Sequence, residues 1–166
     1  MKNSLAQALL FLLVLLMGFE LGAGLYEARV LVPLWAPDPQ AAYKFAVDHP
    51  AFATHAGPQW WIFLTPLTAV VALGCAIFAG WLSPAQIGLA RIGAIVVAGM
   101  AVVTFAWFVP NIIELQGEGV LLLTAEHAKS RGTLWASLNW VRGGVMLAAQ
   151  ILLMIALSRG ARRQPA

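Results

Sequence analysis

Near its end the chain reads Trp135-Ala-Ser-Leu-Asn139-Trp140-Val-Arg142-Gly-Gly-Val-Met146-Leu-Ala-Ala-Gln150. The apolar run that begins here is long enough to cross a bilayer, yet it contains an asparagine, an arginine and a glutamine. In a helix these three residues share one face with Trp135 and Met146. At about 1.5 Å per residue, Arg142 lies roughly 12 Å inside the run. A guanidinium at a bilayer centre costs about 2.5–3.5 kcal/mol, so this face must meet protein or water rather than lipid.

The composition indicates a membrane protein. Of the 166 residues, 61% are hydrophobic and 10% are charged, and the mean hydropathy is +0.81. A soluble domain is closer to one-quarter charged. The net charge of +3 is scattered among apolar runs, which argues against a nucleic-acid partner. Cys75 is the only cysteine, which excludes an intramolecular disulfide, a CxxC redox pair and a cysteine zinc cage; we interpret it as a small packing residue.

The apolar runs predict one transmembrane domain over residues 1–166, an all-α, up-down-up-down four-helix bundle. The predicted helices cover residues 5–32, 60–82, 86–109 and 134–157. The first run resembles a signal peptide, but it is too long, and Glu20 stands where a cleavage site should begin. We therefore predict an uncleaved helix that ends before Pro33.

Two longer polar segments separate these helices. In residues 33–59, five prolines surround a predicted short amphipathic helix over residues 41–48, and Trp60 and Trp61 mark a membrane boundary. Residues 110–133 are expected to extend the third helix outward and then return to the fourth. The tail from Ser158 to Ala166 is predicted to be disordered.

The distribution of basic residues predicts the orientation. The two long polar segments contain more acidic than basic residues, whereas the opposite side of the membrane would hold most of the cations. Both termini are therefore expected on the cytoplasmic side. The cations on that side are Lys2, Arg91, Arg159, Arg162 and Arg163.

Two carboxylates in the first helix are candidates to meet Arg142. Glu20, Gly24, Glu27 and Leu31 share one helix face. Counted from Val32, Glu27 lies roughly 8 Å and Glu20 roughly 18 Å deep, so Arg142 falls between them. Two interpretations stay open: a structural ion pair of Arg142 with Glu20 or Glu27, and a functional pocket.

The second and third helices present matching faces. The second contributes small residues, namely Thr65, Thr68, Ala72 and Cys75. The third contributes Thr104, Phe108, Asn111 and either Glu114 or Leu115, with a kink or altered exit expected at Pro110. The bundle is thus predicted to be polar in the half near the long loops. The opposite half offers almost only leucine, alanine and valine.

Other motifs are less specific. Gly18 and Gly22 form a GxxxG motif in the first helix, and Ala90, Ala94 and Ala98 repeat at the same spacing in the third. Both favour close helix packing over a dimer interface. His49, His55 and His127 fall in predicted loops, so a buried bis-histidine haem is not expected. A metal site that combines His127 with Glu114 or Glu118 matches no diagnostic spacing.

With these residues in view, the chain resembles the anthrone oxygenase-like family of small four-span membrane proteins. The resemblance lies in a glycine-rich first helix that runs into Tyr26 and exits at Pro33, in a third helix that ends Pro110-Asn111, and in Trp135-x-x-x-Asn139-x-x-Arg142. Some members are named for cofactor-independent oxygenases that convert anthrones to anthraquinones. The resemblance implies a bacterial inner-membrane protein that needs neither flavin nor metal.

The residues support two functional hypotheses. An oxygenase for a flat, lipophilic phenol needs a desolvated base, for which Glu20 or Glu27 is suitable. Arg142, Asn139 and Asn111 would stabilise the enolate and reduced oxygen, and Trp135 would line the pocket. The alternative is a non-catalytic binding or assembly protein whose charges only hold the bundle. The expected partners are membrane lipids, a lipophilic small molecule and, in some arrangements, a second copy of the chain.

Overall fold

The computed structural model describes residues 2–50 and 56–161, and every regular element within these ranges is helical. The predicted all-α class is confirmed. Four helices are long and apolar enough to cross a membrane, so the chain is an integral membrane protein. His55 and the tail residues Arg162 and Arg163 lie outside the described ranges, and so does the side chain of Trp60. The helices are α1 (Lys2–Trp35), α2 (Pro39–Asp48), α3 (Ala56–Phe78), α4 (Pro84–Gln116) and α5 (Ala125–Ala161).

The four long helices form a square bundle. Helix α1 packs against α3 and α5, and α4 packs against the same two neighbours. Consecutive long helices run in opposite directions, as in an up-down-up-down bundle. One end of the bundle, here called the terminal end, holds both chain termini and the turn at Ser83. The other, the loop end, holds α2 and the segment Gly117–Thr124. Large apolar side chains such as Phe19, Ile62 and Val102 are exposed on the outer surface, where lipid would cover them.

Helices α1 and α4 each continue past a proline. For α1 this contradicts the end predicted at residue 32, whereas the outward extension of α4 beyond residue 109 was expected. Both contain a π-helical turn just before the proline, Glu27–Leu31 before Pro33 and Thr104–Phe108 before Pro110. In each case the residue before the proline donates its N–H to the carbonyl five residues back. The wider turn relieves the clash between the proline ring and the carbonyl four residues earlier. The helix therefore changes its hydrogen-bonding pattern over one turn and continues instead of ending.

Helix α5 begins nine residues earlier than the predicted start at residue 134. The hydroxyl of Thr124 accepts a hydrogen bond from the N–H of His127 (3.2 Å), which caps the first turn. His127 therefore lies in a helix rather than in the predicted loop. At the other end the helix runs to Ala161, so Ser158–Gly160 are helical and not disordered as predicted.

The predicted amphipathic helix near residues 41–48 is confirmed as α2, which packs onto the loop end. The Gln40 side chain donates to the backbone oxygens of Val120 (3.1 Å) and Leu123 (2.8 Å). At Gly132 in α5, a side chain would collide with the carbonyl of Ala36 and with the ring of Pro39. The close approach of these backbones fixes the connection between α1 and α2 against α5.

Two apolar clusters close the ends of the bundle. In the terminal half, side chains such as Leu10, Leu13, Val97 and Leu153 are almost fully buried. At the loop end, a second cluster is formed by Val32, Trp35, Ala36, Phe108, Leu115 and Trp135. The small-residue spacing in α4 serves packing as predicted, since Ala90 and Ala94 are fully buried. The packing expected of Gly18 and Gly22 is wrong, because no atom of the described residues lies within 4 Å of a side chain built at either glycine.

The terminal half is less uniformly apolar than predicted. The side-chain amides of Gln7 and Gln86 bond to each other, with Gln7 Nε2 donating to Gln86 Oε1 at 2.9 Å. Gln86 also accepts from the Ser83 hydroxyl (2.8 Å) and donates to the carbonyl of Ala156 (3.0 Å). Gln86 thereby links α1, α4 and α5, and its hydrogen bonds offset the cost of burying it.

Candidate functional site

A cavity of about 350 Å³ lies between the two apolar clusters, and all four long helices contribute to its wall. Most of the wall is apolar, with Met100 of α4 and Met146 of α5 among its residues. The predicted inward faces of α1, α3, α4 and α5 are confirmed by their burial. The polar residues of the wall are Glu20, Thr65, Thr68, Thr104, Asn139 and Arg142.

Three buried oxygen atoms on this wall have no hydrogen-bond partner in the described protein. They are Oε1 of Glu20, Oγ1 of Thr68 and Oδ1 of Asn139. Thr65 and Thr68 lie beside Glu20, but Glu20 Oε1 and Thr68 Oγ1 remain unpaired. Leaving a buried polar atom unpaired costs about 1–3 kcal/mol, so such atoms need an explanation. Three of them around one cavity are free to bond to water or to the polar groups of a bound molecule.

The Arg142 side chain is half-buried and lies over two aromatic rings. Its guanidinium carbon is 4.9 Å from the ring centre of Phe108 and 5.6 Å from that of Trp61. The predicted ion pair of Arg142 with Glu20 or Glu27 is wrong: within residues 2–50 and 56–161 the one ion pair joins Arg131 to Glu114 at 2.8 Å. Arg142 is still close enough to both carboxylates for its charge to act on each. Because a guanidinium is weakly hydrated, it stacks readily on aromatic faces, which explains why Arg142 lies over Phe108 and Trp61 rather than in a direct ion pair.

The two glutamates have different surroundings. Glu20 lines the cavity, whereas Glu27 is buried at the first position of the π turn in α1, next to Trp61. Glu27 is not among the residues of the cavity wall. Of the two predicted bases, Glu20 is therefore the one in position to touch a molecule in the cavity.

Two of the residues predicted to bind substrate lie elsewhere. The Asn111 amide donates to the carbonyl of Trp107 (2.8 Å), and its oxygen accepts from Arg131 (2.7 Å). Arg131 also holds Glu114 through two hydrogen bonds of 2.8 Å. Because both ends of the Asn111 amide are used, this residue braces α4 against α5 at the loop end.

Trp135 belongs to the apolar cluster at the loop end rather than to the cavity wall. Its ring is 5.2 Å from that of Trp35 and 5.6 Å from that of Phe108, both edge-on. Its indole N–H donates to the carbonyl of Phe108 (3.1 Å). Trp135 thus closes the space next to the cavity and supports the ring on which Arg142 lies.

Trp61 is a wall residue that we had interpreted only as a membrane anchor. It lies four residues before Thr65 and seven before Thr68, so all three share one face of α3. This spacing could have placed Trp61 in the site. Cys75, further along the same face, is buried in the core as expected.

Among the described residues, no three histidine, cysteine or acidic side chains are grouped in a way that could hold a metal ion. The pair of His127 with Glu114 or Glu118 therefore has no third ligand of these types there. The chain matches no protein-family model, no curated protein and no solved structure in our comparisons. The resemblance to the anthrone oxygenase-like family stays a prediction.

Proposed function

We propose that the protein is a membrane-embedded oxygenase that oxidises a flat, lipophilic phenol without a bound cofactor. The observation that carries the proposal is the convergence of unpaired oxygens of Glu20, Thr68 and Asn139 with the Arg142 cation around one largely apolar cavity. Its volume of about 350 Å³ falls within the ordinary range for small-molecule sites. An apolar wall with a few convergent polar groups suits an aromatic ring system that carries hydroxyl or carbonyl oxygens.

The chemistry assigns a role to each of these groups. Glu20 accepts a proton from the acidic CH₂ of an anthrone-type substrate, which leaves an enolate. The enolate supplies the electrons that reduce O₂; one oxygen atom becomes the new ring carbonyl and the other leaves as water. The sum is one CH₂ and one O₂ converted to one C=O and one H₂O. Arg142 stabilises the negative charge on the enolate and on the reduced oxygen, and the amide oxygen of Asn139 accepts from a substrate hydroxyl.

The alternative, a non-catalytic protein with purely structural charges, predicts a solid core filled by an ion pair around Arg142. The cavity and the unpaired oxygens favour a ligand site instead. We further propose that the loop end faces outward from a bacterial inner membrane, with both termini cytoplasmic. The support is the clustering of cations at the terminal end, including Lys2, Arg91 and Arg159.

Oxygen uptake by purified protein in detergent, with anthrone as substrate, tests the proposal. We expect Glu20→Gln and Asn139→Ala to lower turnover at least about 100-fold, in keeping with the usual contribution of a general base or a transition-state hydrogen bond. Glu27→Gln, which alters a carboxylate outside the cavity wall, should retain more activity than Glu20→Gln.

Glu118→Gln and Ser137→Ala are matched controls, since both residues are exposed and lie away from the cavity; both should turn over at the wild-type rate. A product mixture that contains no anthraquinone, or full activity in the Glu20 and Asn139 variants, would contradict the proposed chemistry. If wild type oxidises no phenol yet still binds one, the non-catalytic binding function replaces the enzyme.

A further inference from the structure

We infer that the cavity opens sideways into the lipid through the seam between α1 and α5, and that its ligand enters and leaves by this route. The inference rests on the proposed function only in assuming that the cavity holds a ligand. It adds that the ligand is drawn from the membrane rather than from water. Three observations support the opening. Several wall residues are exposed, they lie on the facing sides of the two helices, and two glycines leave space between them.

Several residues of the cavity wall are also exposed on the outer surface of the bundle. Leu25 of α1 is 58% exposed, and in α5 Trp140 is 47% and Leu147 52% exposed. All three line the cavity. A residue that borders both the cavity and the exterior marks a place where the wall is a single side chain thick. By contrast, Val97 of the wall is 1% exposed and closes the cavity on the α4 side.

The position of these residues around their helices locates the opening. Gln150 of α5 donates to the carbonyl of Val14 at 3.1 Å, so the Gln150 side of α5 faces α1. Ala149 and Leu153 instead approach Gly93 of α4. Counting back from Gln150 by three, seven and ten residues follows the same side of a helix. These steps lead to Leu147, Gly143 and Trp140, all residues of the cavity wall.

Two adjacent glycines leave the seam open at the level of the cavity. Gly143 and Gly144 both line the cavity, and within residues 2–50 and 56–161 no atom lies within 4 Å of a side chain built at either position. The hydrogen bond between Gln150 and Val14 closes the seam toward the terminal end, and the cluster around Trp135 closes it toward the loop end. The opening is therefore a window of backbone and apolar side chains that would face the hydrocarbon region. A molecule that passes through it must be soluble in lipid.

The experiment compares two probes with protein reconstituted in liposomes. One is a dihydroxyanthraquinone with a hexadecyl ether tail, which stays in the bilayer; the other is a sulfonated dihydroxyanthraquinone, which stays in water. Binding is followed by quenching of tryptophan fluorescence. We expect the tailed probe to bind and the sulfonated probe to leave the fluorescence unchanged. Equal or faster binding of the sulfonated probe would overturn the lateral route.

A variant that fills the window provides the second measurement. Protein loaded with untailed 1,8-dihydroxyanthraquinone is mixed with excess empty liposomes, and release is followed by recovery of fluorescence. Gly143→Leu should release the probe at least tenfold more slowly than wild type. The matched control is Gly88→Leu, since Gly88 is exposed in α4, outside the cavity wall, and likewise has nothing within 4 Å.

The possible outcomes separate the two proposals. Wild-type release rates in Gly143→Leu, with binding intact, would refute the window while leaving the proposed ligand site in place. A wild-type protein that binds neither probe, tailed or sulfonated, and does not bind 1,8-dihydroxyanthraquinone would refute the ligand site, and the window would fall with it. Should Gly143→Leu not fold, the comparison of tailed and sulfonated probes on wild type still decides the route.

Discussion

At the scale of single residues, Arg142 shows how a buried cation can be accommodated without a direct ion pair. Its guanidinium lies over Phe108 and Trp61 while two carboxylates stay within electrostatic range. The negative faces of the rings replace part of the lost hydration. This arrangement leaves the carboxylate of Glu20 free to face the cavity. A direct ion pair would have directed the carboxylate of Glu20 toward Arg142 instead of toward the cavity.

The stacked arrangement predicts that Arg142→Lys is not a conservative change. Lysine keeps the charge but loses the planar guanidinium that stacks on the rings. We expect the free energy of unfolding to fall by about 1–2 kcal/mol, the range for a partly desolvated cation–π contact. Denaturant titration in detergent measures it, with Arg29→Lys at an exposed position as the control.

A thermodynamic cycle with Phe108→Leu tests the contact itself. If Arg142 stacks on Phe108, the double variant should lose less stability than the sum of the two single variants. Additive losses, or an Arg142→Lys protein as stable as wild type, would contradict the stacking. Recovery of stability by Glu27→Gln in an Arg142→Met background would instead support a direct ion pair between Arg142 and Glu27 in the wild-type protein.

At the scale of elements, the molecule keeps its long helices continuous where local sequence signals predict an end. The π turns before Pro33 and Pro110 make this possible. Glu27 and Phe108, one in each turn, both lie close to Arg142. The altered turns therefore help to aim the side chains that surround the arginine, as π turns at functional sites often do.

The loop end depends on one close approach between helices, at Gly132. We expect Gly132→Ala to lower the free energy of unfolding by about 1–3 kcal/mol, as overpacking does, because the new methyl group would meet the carbonyl of Ala36 and the ring of Pro39. Gly88→Ala, at a position with open space, should be neutral or slightly stabilising, since alanine favours helices. Thermal unfolding in detergent compares them. Equal stability of the two variants would show that the backbones can separate without cost.

At the scale of the whole molecule, the charge distribution predicts the orientation in the membrane. Single cysteines in a Cys75→Ala background report it, because Asn3 at the terminal end and Glu126 at the loop end are both exposed. In intact cells a membrane-impermeant maleimide should label Glu126→Cys and should label Asn3→Cys only after lysis. Labelling of both sites from one side would refute the three membrane crossings that separate them, and the reverse pattern would invert the bundle.

Much of the architecture could be predicted from the sequence, because a bilayer imposes strict rules on a chain. Apolar runs must be helical to satisfy their backbone groups, and polar side chains within them must face inward. These rules correctly placed Glu20, Asn139 and Arg142 in the interior, along with the threonines of α3. They depend only on run length and on spacing within one helix.

The tertiary structure alone decided which side chains meet. The pairing of Gln7 with Gln86, the stacking of Arg142 on Trp61 and Phe108, and the separation of Glu27 from the cavity wall all depend on how one helix is rotated and shifted against another. Spacing within a helix does not contain that information. The cavity itself is set by the volume that four helices leave unfilled, with Gly143 and Gly144 at its edge. Its existence follows from packing in three dimensions, since the same inward faces could equally have closed around an ion pair.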